Sequence, residues 1–255
     1  LLAPFVALLE SQARTAARYQ DLKDLLVGLT RALSAALDAK DRYTQGHSER
    51  VARIAVELGR DLGMGEEELG NLYLAGLLHD IGKIGVREAV LGKPGALTAD
   101  EFEEMKRHVT IGHAILADLH QLRSLLPGVL YHHERYDGGG YPEGLSGEAI
   151  PLLGRILAVA DSYDAMTTTR PYREGMTPLK AVEVLANGAG RQWDPRVVEA
   201  ALRCGEAIRG ITDRGVGGES LRRALSGAPR WSKNSCCSLE TFFQMSPPAS
   251  ISPSI

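Results

Sequence analysis

Apolar residues recur along most of this chain at spacings of three and four, the period of a helix with one buried face, and alternation of period two is rare. The pattern predicts an all-α protein. A long helix is expected over residues 5–38. Within it Leu22, Leu26, Leu29, Leu33 and Ala36 step by four and three, as a coiled-coil seam does, over about two heptads. Two readings follow: a helix packed on the main bundle, or a linker that pairs two chains as a homodimer and leads from an upstream sensor. Residues 41–60 form the next predicted helix. Its stripe is Val51, Ile54, Ala55 and Leu58, and His47 falls on the same face. Residues 68–80 give a third, strongly apolar helix that ends in His79 and Asp80.

Residues 98–119 open with a capping box, Thr98 and Glu101, and Leu97 is placed to staple onto Phe102. His108 lies beside the stripe that follows. A helix over 122–135 carries His132 and His133. After a glycine-rich loop, "RILAVADSYDAM" is helical, with Asp161 at the end of its apolar run. Thr177–Pro178 and Asp194–Pro195 start two further helices. Beyond about residue 206 the pattern fades into polar, low-complexity sequence. The expected organisation is a helical linker over 1–38, one helical domain over 39–205, and a poorly structured tail over 206–255.

The bulk chemistry excludes several classes of function. A net charge of −3 over 255 residues offers no basic field for duplex nucleic acid. Three cysteines, two of them adjacent, suggest no disulfide framework. No apolar run reaches the roughly 20 residues that span a bilayer. A cytoplasmic domain is expected, cut from a larger or membrane-anchored sensor.

The histidines change the picture. Five of the seven, His47, His79, His108, His132 and His133, lie on or beside inward faces of separate helices. Asp80 and Asp161 close apolar runs. Burial of so many ionisable groups requires compensation, and helical bundles build metal sites from such facing side chains. Imidazole with carboxylate suits iron, manganese, zinc or nickel rather than calcium. His132 and His133 diverge by about 100° on a helix, so they are better placed to serve two metals than to share one. Asp80 can bridge. Two metals about 3.5–4 Å apart clamp an in-line displacement at phosphorus. His113 and His120 fit no role.

Five blocks in order carry a resemblance to a known family: "DRYTQGHSERVA", "LLHDIGKIGV", "LTADEFEEMKRHVTIGHAIL", "HHERYDGGGYPEGLSGEAIP" and "ILAVADSYDAMTTTRPYR". From about Leu33 to Leu202 the chain resembles the HD-GYP branch of the HD phosphohydrolases, whose naming signature is Gly140-Tyr141-Pro142. The resemblance implies an HD-domain helical bundle that hydrolyses cyclic di-GMP. It implies His47, His79, Asp80, His108, His132, His133 and Asp161 as metal ligands, and two divalent ions, iron or manganese. Lys83 would face the scissile phosphate, Tyr141 would line the nucleotide site, and Arg170 and Arg173 would grip phosphate. Asp164 would support the ligands from behind. Some members hold a third metal through a glutamate four residues before the first histidine, where this chain has Tyr43. A dinuclear centre is therefore expected, one that opens the ring to pGpG in preference to finishing at GMP. A hydroxide bridging the metals would attack phosphorus, with Asp80 and Lys83 as the catalytic pair. The alternatives are a sensor that binds cyclic di-GMP without cutting it and a hydrolase of another nucleotide.

Overall fold

In the computed structural model, which describes residues 3–40, 46–169 and 174–213, the helical period dictates the architecture. Helix α2 (His47–Asp61) buries Val51, Ile54, Ala55 and Leu58 completely, the stripe read from the sequence. It packs against α3 (Glu66–Leu78) and α8 (Leu152–Thr167), so these three helices frame the centre of the bundle. Around them lie α4 (Glu88–Leu91), α5 (Ala99–Lys106), α6 (His108–Ala117), α7 (Leu126–Tyr131), α9 (Pro178–Gly188), α10 (Pro195–Arg203) and α11 (Gly205–Asp213). Among the described residues there is no β-strand, and only two isolated bridges, Asp137–Ser146 and Ala189–Trp193. A small satellite core of Val86, Val90 and Leu91 takes in Leu97 and Met105.

The helix starts follow the sequence signals. Thr98 Oγ1 accepts from the Glu101 amide and Glu101 returns a bond to the Thr98 amide, closing the capping box. Thr177 and Asp194 cap α9 and α10 ahead of a proline.

The helix ends depart from the pattern. The stretch 98–119 is two helices broken at Arg107, and 122–135 is a 3-10 turn (His120–Leu125) followed by α7, which stops at Tyr131. Leu97 packs into the satellite core, while Phe102, its expected staple partner, is exposed. The helix expected over 41–60 begins, in the described residues, at His47; Tyr43 lies outside them. The start of the expected tail belongs to the bundle, because α11 lies within it and its Ile208 and Ile211 are buried in the main core. Residues 214–255 lie outside the described residues.

Helix α1 (Ala3–Lys40) runs unbroken through the expected linker boundary at 38. Its last turns belong to the bundle. Arg31 pairs with Glu49 at 2.6 Å and donates to the Tyr73 hydroxyl at 2.8 Å, and Ser48 donates to Asp38 at 2.7 Å. The leucine seam faces away, with Leu22, Leu26, Leu29 and Leu33 between 42% and 57% exposed. No described helix is long and apolar enough to cross a membrane.

Candidate metal centre

Four helix termini converge on one point, and the way each helix ends decides what its histidine can do. A helix leaves the carbonyls of its last turn without intrahelical donors. His79 caps the C-terminus of α3 and turns Nδ1 to the Gly76 carbonyl at 2.8 Å. His132 does the same for α7, with Nδ1 2.9 Å from the Val129 carbonyl. His108, just past the break at Arg107, meets the Met105 carbonyl at 2.7 Å. A carbonyl only accepts, so each Nδ1 carries the proton and each Nε2 keeps a lone pair.

Those lone pairs point at one another. His108 Nε2 and His132 Nε2 are 3.4 Å apart. His79 Nε2 is buried without a hydrogen-bond partner. Its nearest acidic neighbour is Asp80 Oδ2, at 3.4 Å. Two buried acceptors face to face repel unless a cation lies between them. The residues therefore fit a divalent metal.

His47 opens α2, next to a left-handed Gly46 (φ 68°), where the free backbone groups are amides. Its Nδ1 finds a carboxylate instead, Asp164 Oδ2 at 2.7 Å, and its Nε2 lies 3.2 Å from Asp161 Oδ1. Arg50 holds Asp164 from the other side with bonds of 2.6 and 2.9 Å. The ligand-type atoms fall into two groups, His47–His79–Asp80 and Asp80–His108–His132–His133, with atoms inside each group no more than 4.8 Å apart. Asp80 belongs to both. Its Oδ1 lies 3.4 Å from His108 Nε2 while its Oδ2 faces His79.

His132 and His133 belong to the same group, contrary to the expectation that they serve different metals. The helix stops before them, so the helical divergence does not apply, and their rings lie 4.2 Å apart. His113 and His120 lie outside both groups, and so does Asp161, which meets the first group through His47. Lys83 sits in the 3-10 turn Ile81–Gly85, and its ammonium contacts Asp80 Oδ2 at 2.6 Å. Gly82 is obligatory there: a Cβ would fall 1.8 Å from the His108 carbonyl oxygen, so only glycine lets this turn lie against α6. Tyr141 stacks on His133 with centroids 4.9 Å apart. Arg170 and Arg173 lie outside the described residues.

The electrostatics differ across the centre. Burial pulls His47 down, yet hydrogen bonds to Asp161 and Asp164 push it up to about 10. Burial and the neighbouring imidazoles depress His132 strongly and bring His133 to about 3. Burial pushes Asp80 up, but Lys83 and His79 hold it well below the carboxylate range. On the His132–His133 side, neutral imidazoles and an ionised carboxylate are the protonation states that metal ligation requires.

Two residues that sequence reading passed over support the site. Arg50 is one. Glu134 is the other: it is buried, and its Oε1 accepts from the amides of Glu143 (2.8 Å) and Gly144 (3.0 Å), pinning the loop that carries Tyr141. Its place directly after His132–His133 was the available signal.

A buried set of histidines and aspartates at the heart of an all-α bundle defines a metal-binding helical domain. Residues 31–197 match the HD-domain family, and the chain belongs to it. It is 47% identical over 174 residues to a Xanthomonas campestris protein named cyclic di-GMP phosphodiesterase response regulator RpfG, covering 67% of this chain and 46% of that protein. A Thermotoga maritima protein named cyclic di-GMP phosphodiesterase is 38% identical over 200 residues, covering 77% and 54%. A Vibrio cholerae protein named 3′3′-cGAMP-specific phosphodiesterase 3 is 39% identical over 169 residues, covering 66% and 37%. The chain thus spans about half the length of the curated relatives it matches. The crystal structure of a cyclic GMP-AMP-specific phosphodiesterase from V. cholerae shares the fold with a TM-score of 0.60 at 22% identity, covering 79% of this chain and 53% of that one.

Proposed function

We propose that this chain is the catalytic domain of a phosphodiesterase that hydrolyses cyclic di-GMP to linear pGpG, and that it works with two divalent ions, iron or manganese. The observation that carries the reading is the shared Asp80, one oxygen toward each group of inward-facing histidine nitrogens. His47, His79, Asp80 and Asp161 would hold one ion, and Asp80, His108, His132 and His133 the other. A bound metal pair supplies an activated water and positive charge for the phosphoryl oxygens.

The chain's own side chains do the rest. Lys83, beside Asp80, supplies a positive charge at the edge of the centre, where a phosphodiester would sit. Tyr141, stacked on His133, walls the site and orients the nucleotide. Arg170 and Arg173 would add guanidinium forks that grip phosphate. Asp164, clamped by Arg50, fixes the ring of His47. The names of the Xanthomonas and Thermotoga relatives support cyclic di-GMP as substrate. The Vibrio relative supports a second reading, a mixed cyclic dinucleotide. A receptor that only binds has no need of the complete ligand set. In the whole protein, the exposed leucines of α1 pair two copies in the cytoplasm below an upstream sensor.

The test is anaerobic purification, metal analysis, and chromatography of the products formed from cyclic di-GMP. Bound divalent metal and pGpG, both lost on chelation, are expected. Metal-loaded protein that leaves the dinucleotide intact would refute the reading.

A further inference from the structure

Outside the ligand set, α5 carries an aromatic corner beside the centre. Phe102 is 46% exposed and belongs to neither hydrophobic core, although α5 sends Met105 into the satellite core. Its ring meets Tyr141 edge to face, with centroids 6.3 Å apart and planes at 84°. Lys106, one turn later, places its ammonium over both rings, 5.5 Å from the Phe102 centroid and 5.8 Å from that of Tyr141. The ammonium also pairs with Glu103 at 2.6 Å, but Glu103 is largely exposed, so that pair is weak and exchangeable. Because Tyr141 stacks on His133, a continuous row of rings leads from the candidate metal centre to this corner.

We infer that Phe102 and Lys106 form the subsite for one purine base of the substrate, and that Lys106 selects guanine over adenine. This inference rests on the cyclic dinucleotide reading above and assigns residues that reading leaves out. A base has two π-faces, and an exposed aromatic ring beside the phosphate site is the usual platform for one. Guanine presents O6 and N7, two acceptors, along one edge, and a lysine ammonium donates to both. Adenine replaces O6 with an amino donor, which an ammonium repels.

The experiment compares the metal-loaded wild type with Lys106→Met, Lys106→Arg and Phe102→Ala on cyclic di-GMP and cyclic di-AMP. Metal content and Tm are measured on the same preparations. For Lys106→Met, the KM for cyclic di-GMP is expected to rise about 10-fold with little change in kcat, the pattern of lost binding common to ground and transition states. The preference for guanine should fall with it, and Lys106→Arg should restore both, since arginine also donates to O6 and N7. Phe102→Ala should raise KM for both nucleotides alike. Metal content should stay at the wild-type value throughout. Unchanged KM and preference in the variants, beside a wild type that cleaves cyclic di-GMP, would overturn this inference alone. So would variants whose defect follows lost metal. A metal-loaded wild type that cleaves neither dinucleotide would overturn the underlying reading, and this one with it.

Discussion

The histidines of the candidate centre come from different kinds of helix terminus, and His47 differs from the rest. His79 and His132 sit where a helix stops and His108 at the junction of α5 and α6, and each turns one nitrogen onto a carbonyl of the preceding helix's last turn. His47 is the first described residue of α2 and turns its Nδ1 onto a carboxylate from α8. The difference sets the charge. Carbonyls hold an imidazole in place without charging it, so burial leaves His108 and His132 depressed, while His79, held the same way, is drawn up against its burial by Asp80. Two carboxylates draw His47 up to about 10 against that same burial. His47 therefore brings its own anions, while the other histidines depend on the incoming cation and on Asp80. A helix terminus is thus a choice of ligand electrostatics as well as a choice of position.

Asp80 is the one group common to both sides, so its loss gives the largest effect. Asp80→Ala is expected to lower kcat by at least about 10²–10³-fold and to strip metal from both groups. Retention of two metals with normal turnover would assign the bridge elsewhere.

Truncation comes next and tests the His47 side through its packing. Helix α11 packs against α2, which begins at His47, and buries Ile208 and Ile211. Cutting the chain after residue 206 removes both, at about 1.5–3 kcal/mol for each buried side chain, or a fall in Tm on the order of 10 °C. Cutting after 213 keeps them and should leave Tm near the full-chain value. Equal melting of the two truncated chains would show that α11 contributes nothing.

Asp164→Asn separates the two sides directly. It keeps the shape but removes the charge that orients His47 and pairs with Arg50. A loss of about 10–100-fold in metal affinity is expected on the His47 side alone, read as biphasic metal titration. A uniform loss on both sides would break the distinction. The smallest effect lies on the other side, where Glu134→Ala releases two backbone amides of the Tyr141 loop. A fall on the order of 10-fold in kcat/KM, with metal content unchanged, is expected from the loss of these charge-assisted bonds.

Much of this was legible in the sequence. Val51, Ile54, Ala55 and Leu58 announced the buried face of α2, and the caps at Thr98, Thr177 and Asp194 stood where the turn chemistry placed them. The histidines and Asp80 stood out because ionisable groups are rare in apolar runs. The helix ends did not stand out. Periodicity carries past Arg107 and Tyr131 unchanged, since the side-chain pattern does not record which carbonyl an imidazole will capture. Losing those ends set His132 and His133 apart, whereas the structure gathers their nitrogens into one group. The short apolar run of α11 was lost for a related reason: Ile208 and Ile211 are two residues in a polar stretch, and only the groove beside α2 makes them core.

The shared-carboxylate centre is tested most directly by metal stoichiometry, measured by elemental analysis on anaerobically purified, active protein. Two divalent ions per chain in the wild type is the predicted result. One ion per chain, or three tightly bound, in a preparation that turns over substrate would contradict it.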